Sequence, residues 1–160
     1  MVIDAIRVRD LVNPEEIKTE LVEEVTFKPR PLPKGAKSFS EWRTFLALID
    51  DHHKLPKNLQ KSVEYVDSRG GYLLNNYEFY TTEDDEYNMH KRVIVPCYWK
   101  GNLIGSTART FEEGIKPKYY ADYESNFVFN MDRQTPEKKF VIVCEGPLDR
   151  KSTRLNSSHA

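Results

Sequence analysis

Cysteine is scarce in this chain, and the two that are present stand far apart. Cys97 and Cys144 are separated by 47 positions, and neither belongs to a Cys-x-x-Cys pair. No zinc site is legible as a result. Both lie in apolar, strand-like runs, which predicts buried free thiols and fits a reducing cytoplasm. No apolar run approaches the roughly 20 residues needed to cross a bilayer. Acids stand early, at Asp4 and Asp10, and no long apolar segment follows Met1, so no secretory leader is expected. An excess of one charge is also missing: 24 Lys+Arg face 25 Asp+Glu, a net charge of −1. Totals therefore do not indicate a strongly basic nucleic-acid binder, and any basic surface must come from local clustering. Aromatics are plentiful by contrast, with nine Tyr and eight Phe. The chain is not compositionally disordered and is long enough for one domain with a real core.

Taken in order, residues 1–12 are mixed and fit a short strand or a helix. Asn13-Pro14-Glu15-Glu16 is a good helix start, and Ile17, Leu21 and Val25 then repeat at four-residue spacing. A helix over about 14–25 is predicted. Residues 27–37 carry three alternating prolines, four basic residues and no acid, and are expected to be an extended, solvated linker. Ser38 or Ser40 caps a second helix through Trp42, Phe45, Leu46 and Ile49. Asp50-Asp51-His52-His53 ends it; adjacent side chains there diverge, which argues against a metal site. A third helix is predicted over 56–68, starting with Pro56 and stopping before Gly70-Gly71, with Leu59, Val63 and Val66 on one face. Tyr72 to Tyr80 suits a short helix, and Thr81 to Asn88 an acidic loop.

The hydrophobic period then changes. Arg92 to Trp99 and Leu103 to Phe111 read as two strands joined at Lys100-Gly101-Asn102, a hairpin with a glycine-containing turn. Pro96 argues for an edge or bulged position. Lys116 to Tyr120 is a basic, aromatic turn, Phe127 to Asn130 a short strand, and Thr135 to Lys139 a polar connection.

Phe140 to Cys144 is an unbroken apolar run that stops at Glu145 and Gly146. Such a run fits a strand buried on both faces, with Glu145 at its carboxyl end, where open α/β sheets place ligands. Asp149 follows four residues later. Two carboxylates so placed can hold a divalent metal or do acid/base work. The same pattern equally describes a core strand ending in a solvated acidic turn. Residues 149–160 are polar and aperiodic and look like a translated sequencing adapter, which is set aside from fold reasoning. Asp149 then has two possible origins, the motif or the adapter. Without these residues 21 basic stand against 24 acidic, a net charge of −3.

The stretch from Phe140 to Asp149 resembles the first motif of the Toprim domain. The order of features before it is similar to the catalytic core of bacterial and phage-type DNA primases. The matching pieces are Glu64 to Gly70, Arg92 to Pro96, Gly101 to Arg109, Lys116 to Tyr119 and Val128-Phe129-Asn130. The Leu32-Pro33-Lys34-Gly35 lead-in matches the phage type. Ala108 departs from the bacterial pattern, which has glycine there. The resemblance implies an α+β chain: a lead-in helix and Pro-rich linker at 1–37, a hairpin-containing N-terminal subdomain of the core at 38–139, and the first strand of a Toprim α/β domain at 140–148.

It further implies the activity. A ribonucleotide 3′-hydroxyl attacks the α-phosphate of the next nucleoside triphosphate, on a single-stranded DNA template, and short RNA primers result. Arg109, Lys118 and Tyr119, with Arg92, are the implied template and nucleotide contacts. Glu145 is the implied general base or metal-organising carboxylate, and Glu145 with Asp149 the implied ligands of Mg2+ or Mn2+. A replicative helicase is an implied partner. The family's Asp-x-Asp and its zinc module are not in these 160 residues, so the resemblance implies that this chain by itself makes no primers. Two other readings stand beside it: another Toprim protein, such as a topoisomerase or nuclease, and a non-catalytic fragment that binds single-stranded nucleic acid.

Overall fold

The computed structural model describes residues 25–42, 56–139 and 147–148. The fold is α+β, built on a five-stranded antiparallel sheet in sequential order. The strands are β1 (Lys37–Ser38), β2 (Tyr80–Thr81), β3 (Arg92–Trp99), β4 (Asn102–Thr110) and β5 (Tyr119–Asp122). Two helices are described in full, α1 (Lys57–Arg69) and the single turn α2 (Leu73–Asn76). No helix among the described residues is long and apolar enough to cross a membrane.

The β3–β4 hairpin forms where the alternating pattern predicts it, but its turn is tighter than expected. Trp99 pairs with Asn102, leaving only Lys100 and Gly101 in the turn, at φ 48° and 83°. Two positive-φ residues match the right-handed twist of the flanking strands. The register then shifts between Cys97 and Tyr98: Tyr98 pairs with Leu103, but Cys97 pairs with Gly105. Ile104 is the extra residue, so β4 carries a bulge. Beyond it Val93 faces Arg109, and Arg92 faces Thr110. Had the turn register continued, Arg92 would have faced Arg109, two like charges side by side. Pro96 is tolerated although β3 is the middle strand. The two-residue β2 reaches β3 only at Ile94, so near Pro96 β3 is paired through β4 alone.

Both sheet faces are covered. On one, Val93 and Val95 pack with Leu59 and Val66 of α1, with Phe39, Phe79 and Leu148. Helix α1 follows its sequence signals: Pro56 stands at its N-cap, Leu59 and Val66 are buried, and the Gly70 N–H closes it by donating to Val66 and Asp67 carbonyls. On the other face, Ile94, Ala108 and Met89 pack with Leu32, Ala36, Tyr80 and Tyr120. Ala108 is an ordinary buried strand residue, paired with Ile94 and Tyr120. A third cluster joins Cys97, Ile104 and Phe127 to Phe27, Trp99, Tyr123 and Phe129.

Several expectations need correction. The Pro-rich segment forms no helix or strand from residue 25 to 32, as its prolines dictate, but it is not a free linker. Phe27 stands edge-on to Trp99 and Phe127 at 5.0 and 5.6 Å, and the Trp99 indole N–H donates to the Val25 carbonyl. Leu32 and Ala36 point inward while Lys28, Lys34 and Lys37 stay exposed. The segment is a strap, apolar inside and basic outside. Residues 127–130 are turns rather than a strand. Phe127 is buried and Val128 is 59 % exposed, an alternation that mimics a strand. The Phe127 N–H, however, bonds to the Glu124 carbonyl, and Asn130 is left-handed at φ 59°. Within Thr81 to Asn88, Thr81 belongs to β2, and turns of 3₁₀ helix begin at Glu86. Ser38 is the cap of the helical turn at 39–42, its Oγ accepting from the Glu41 N–H at 2.9 Å. The rest of that second helix, nearly all of the predicted helix at 14–25 and the run from Phe140 to Cys144 lie outside the described residues.

Two predictions follow from the sheet. At Gly105, φ is 142° and a Cβ would lie 1.9 Å from the Asp122 carbonyl oxygen. Gly105→Ala is therefore expected to lower stability by at least about 2 kcal/mol in urea titration. Gly101→Ala, whose Cβ meets nothing within 4 Å, should cost about 1 kcal/mol. Burial pushes the Cys97 thiol from 9.0 up to about 12, against a backbone hydrogen bond from Thr107 that lowers it. Burial, with Tyr98 beside it, likewise raises Tyr80 from 10.0 to about 12. Both groups stay protonated in the fold after the unfolded chain has lost its protons. Stability should therefore fall as pH rises from 9 toward 12. Cys97→Ala should flatten the lower part of that fall in denaturation midpoints measured against pH.

Candidate nucleic-acid interface

Arg109 lies near the end of β4 and pairs in register with Tyr119, the first residue of β5. It is a buried cation, 8 % exposed. Its Nε donates to the Tyr65 hydroxyl at 3.0 Å, and its guanidinium lies 4.5 Å from the centroid of the Tyr119 ring. Tyr65 belongs to α1, where Arg69 stands one turn on and lies 5.0 Å over the Tyr65 ring. The result is a ladder of alternating cations and phenols: Arg69, Tyr65, Arg109, Tyr119. No carboxylate pairs with Arg69 or Arg109 among the described residues. Hydroxyl and π contacts orient a guanidinium without neutralising it. Among the described residues the ladder thus holds two guanidiniums, one nearly buried, and no carboxylate bonded to either.

Arg92 sits on the opposite face of the sheet, because the bulge sets it out of line with Arg109. It is wholly buried. Its Nε donates to the Tyr87 carbonyl at 3.3 Å, and its Nη1 reaches the carbonyls of Ala108 and Lys118 at 3.5 Å. Nη2 is buried and has no hydrogen-bond partner among the described residues. Burial pulls the Arg92 pKa below the ordinary arginine value. This side chain touches no solvent; it ties together the backbone immediately before Arg109 and immediately before Tyr119. Lys118 presents the reverse arrangement: its carbonyl is engaged by Arg92 and by the Thr110 N–H, while the residue itself is exposed.

Of the residues picked from the sequence, the fold thus brings Arg109, Lys118 and Tyr119 to one end of β4 and β5 and places Arg92 behind them. Glu145 and Asp149 lie outside the described residues. Among the described residues no group of three or more His, Cys, Asp and Glu is placed to hold a metal ion. Tyr65 and Arg69 were not singled out from the sequence as site residues. Their i, i+4 spacing on a helix with an apolar face was the available signal, but their meeting with Arg109 is long-range. The Glu112 carboxylate stands close by, bonded to Lys61 of α1 at 2.7 Å and to Lys91 at 3.3 Å. The hydrogen bond from Lys61, more than that from Lys91, holds its pKa below the usual range.

No family model, no curated protein and no solved structure matches this chain. A cleft of about 480 Å3 lies elsewhere, between the strap and the start of α1, lined in part by Lys34, Lys37, Asn58, Thr82 and Asp85. It contains none of the residues picked from the sequence.

The hydroxyl of Tyr65 can be tested alone. Tyr65→Phe keeps the ring under Arg69 and strands the buried Arg109 Nε–H. A loss of about 1–3 kcal/mol is expected in chemical denaturation. A variant as stable as the wild type would show that Arg109 does not depend on this bond.

Proposed function

We propose that the chain is part of a phage-like DNA primase, and that the Arg109–Tyr119 end of the sheet receives the single-stranded DNA template or the incoming ribonucleoside triphosphate. The observation that carries this reading is the buried Arg109 between two tyrosines, with no carboxylate partner among the described residues and exposed Lys118 beside it. A nearly buried guanidinium without an acid is costly in a structure that has no use for its charge. A phosphate supplies the missing counter-charge. Arg109 offers a planar fork that matches phosphate oxygens, and Tyr65 and Tyr119 hold the fork in orientation. Lys118 adds a point charge at the rim.

In this reading primers grow by attack of a 3′-hydroxyl on an α-phosphate, with release of pyrophosphate. Glu145 takes the proton of that hydroxyl or organises the metal. Magnesium or manganese, when bound, neutralises charge on the transferring phosphate. A replicative helicase would supply the single strand. The sequence resemblance and the Arg109 geometry support the reading together.

The direct test is fluorescence anisotropy with a labelled single-stranded oligodeoxynucleotide. The chain is expected to bind it with an affinity that falls as salt rises. Lys118→Ala, an exposed change that leaves the core intact, should weaken binding roughly 3- to 10-fold and lower the salt slope by about one. Unchanged affinity and slope in Lys118→Ala would remove this residue from the interface, and absence of single-strand binding by the wild type would sink the reading.

A further inference from the structure

Tyr87 is held in a conformation that bulky residues avoid. Its φ and ψ are 52° and 24°, and Asn88 follows at 56° and 37°. Asparagine tolerates the left-handed region; tyrosine there is strained. Two contacts hold it in place. The Arg92 Nε donates to its carbonyl, and its ring stacks on Tyr120 with centroids 5.1 Å apart and planes 28° from parallel. Yet the strain does not serve to bury the ring, because Tyr87 remains 60 % exposed. One face of the ring lies on Tyr120 and the rest is open to solvent.

The location matters as much as the strain. Tyr119 and Tyr120 are consecutive in β5 and so point to opposite faces of the sheet. Tyr119 carries Arg109 on one face, and Tyr120 carries Tyr87 on the other. Lys118 stands at the start of the strand between them, and its carbonyl shares the Arg92 guanidinium with that of Tyr87. Lys118 forms no ion pair among the described residues. On the strap side, Arg30 is occupied by Asp122 at 2.6 Å. The acids next to Tyr87 in sequence are Glu83 to Glu86, and three of them, Glu83, Asp84 and Asp85, line the cleft beside Lys34 and Lys37. Near the ring the charge is thus unfavourable to phosphate, whereas the Lys118 side favours it. The Tyr87 and Lys118 backbones meet at the Arg92 guanidinium, and both residues are exposed, which suits a base on the ring and its phosphate near the lysine.

We propose that Tyr87, backed by Tyr120, is a stacking platform for one base of a single-stranded nucleic acid that passes over the start of β5 at Lys118. This rests on the single-strand interface proposed above and adds a second contact to it, on the sheet face away from Arg109. The strained backbone serves to present the ring, and Arg92 couples the two contacts by anchoring the segments that carry them.

The test uses the full 160-residue chain and single-stranded oligonucleotides carrying 2-aminopurine, whose fluorescence is quenched by stacking. Wild type and Tyr87→Phe are expected to quench it equally. Tyr87→Ala should bind about 10-fold more weakly, lose the quenching, and keep the wild-type salt slope, in contrast to Lys118→Ala. Tyr87→Gly separates the ring from the fold: it relieves the positive φ, so it should be as stable as the wild type and still bind about 10-fold more weakly. If Tyr87→Ala and Tyr87→Gly bind and quench like the wild type, the platform is overturned, while a Lys118→Ala defect in the same assay leaves the interface at β4 and β5 standing. Absence of binding by the wild type removes both. Capture of an arginine-rich peptide by the wild type but not by Tyr87→Ala, without any single-strand binding, would assign the ring to a protein partner and overturn the proposal.

Discussion

A single extra residue in β4 governs the candidate interface. The tight Lys100-Gly101 turn starts the hairpin in one register, and the bulge at Ile104 moves it by one. Side chains in a strand alternate with a period of two, so a one-residue shift exchanges the faces of everything beyond it. Arg109 is thereby set opposite Val93 and turned toward α1, while Arg92 goes to the other face. The two guanidiniums that would have met as a like-charged pair are instead separated by the thickness of the sheet. Gly105 makes the shift possible, because β5 passes so closely at Asp122 that no Cβ fits there.

Once the faces are assigned, each arginine finds a different answer to burial. Arg109 leans on an aromatic ring and one hydroxyl, contacts that fix its plane and that, among the described residues, bring no carboxylate to it. Arg92 spends its donors on three backbone carbonyls at the long end of hydrogen-bonding distance, with one nitrogen unpartnered. A buried cation held so loosely by neutral groups contributes little net stability. What it does supply is a common anchor for three segments distant in sequence: the Tyr87 turn, β4 and the Lys118 turn. The residues that would touch a ligand are those such an anchor orients.

The strap shows a second economy of the same kind. Prolines remove backbone donors and fix φ, so the segment forms neither helix nor strand over residues 29–33. It seals the sheet through side chains instead, with Phe27 wedged against Trp99 and Phe127, and Leu32 laid on the face that holds Ile94 and Ala108. Its lysines are left on the outside. A segment whose composition resembles a solvated linker in this way packs half-buried against the core.

Local pattern determined much of what is seen. Pro56 and Gly70-Gly71 bound α1, the apolar triad Leu59, Val63 and Val66 marks its inward face, and the alternating runs on either side of Lys100-Gly101 specify a hairpin. Each of these is set by neighbours within a turn or a strand. Arg109, Lys118 and Tyr119 were picked through resemblance to a family, and no chemistry in the sequence itself marks them. Tertiary structure decided the rest. The bulge rests on the approach of Asp122 to Gly105, 17 positions away; the Arg69–Tyr65–Arg109–Tyr119 ladder joins a helix to two strands; and the strain at Tyr87 is held by Arg92 and Tyr120. Phe127 to Asn130 had the alternation of a strand and did not become one, since a strand needs a neighbour to pair with and the fold provides turns there instead. Periodicity tells which side of an element is apolar, but which elements meet, and so which charges are left without a partner, is settled only when the chain closes on itself.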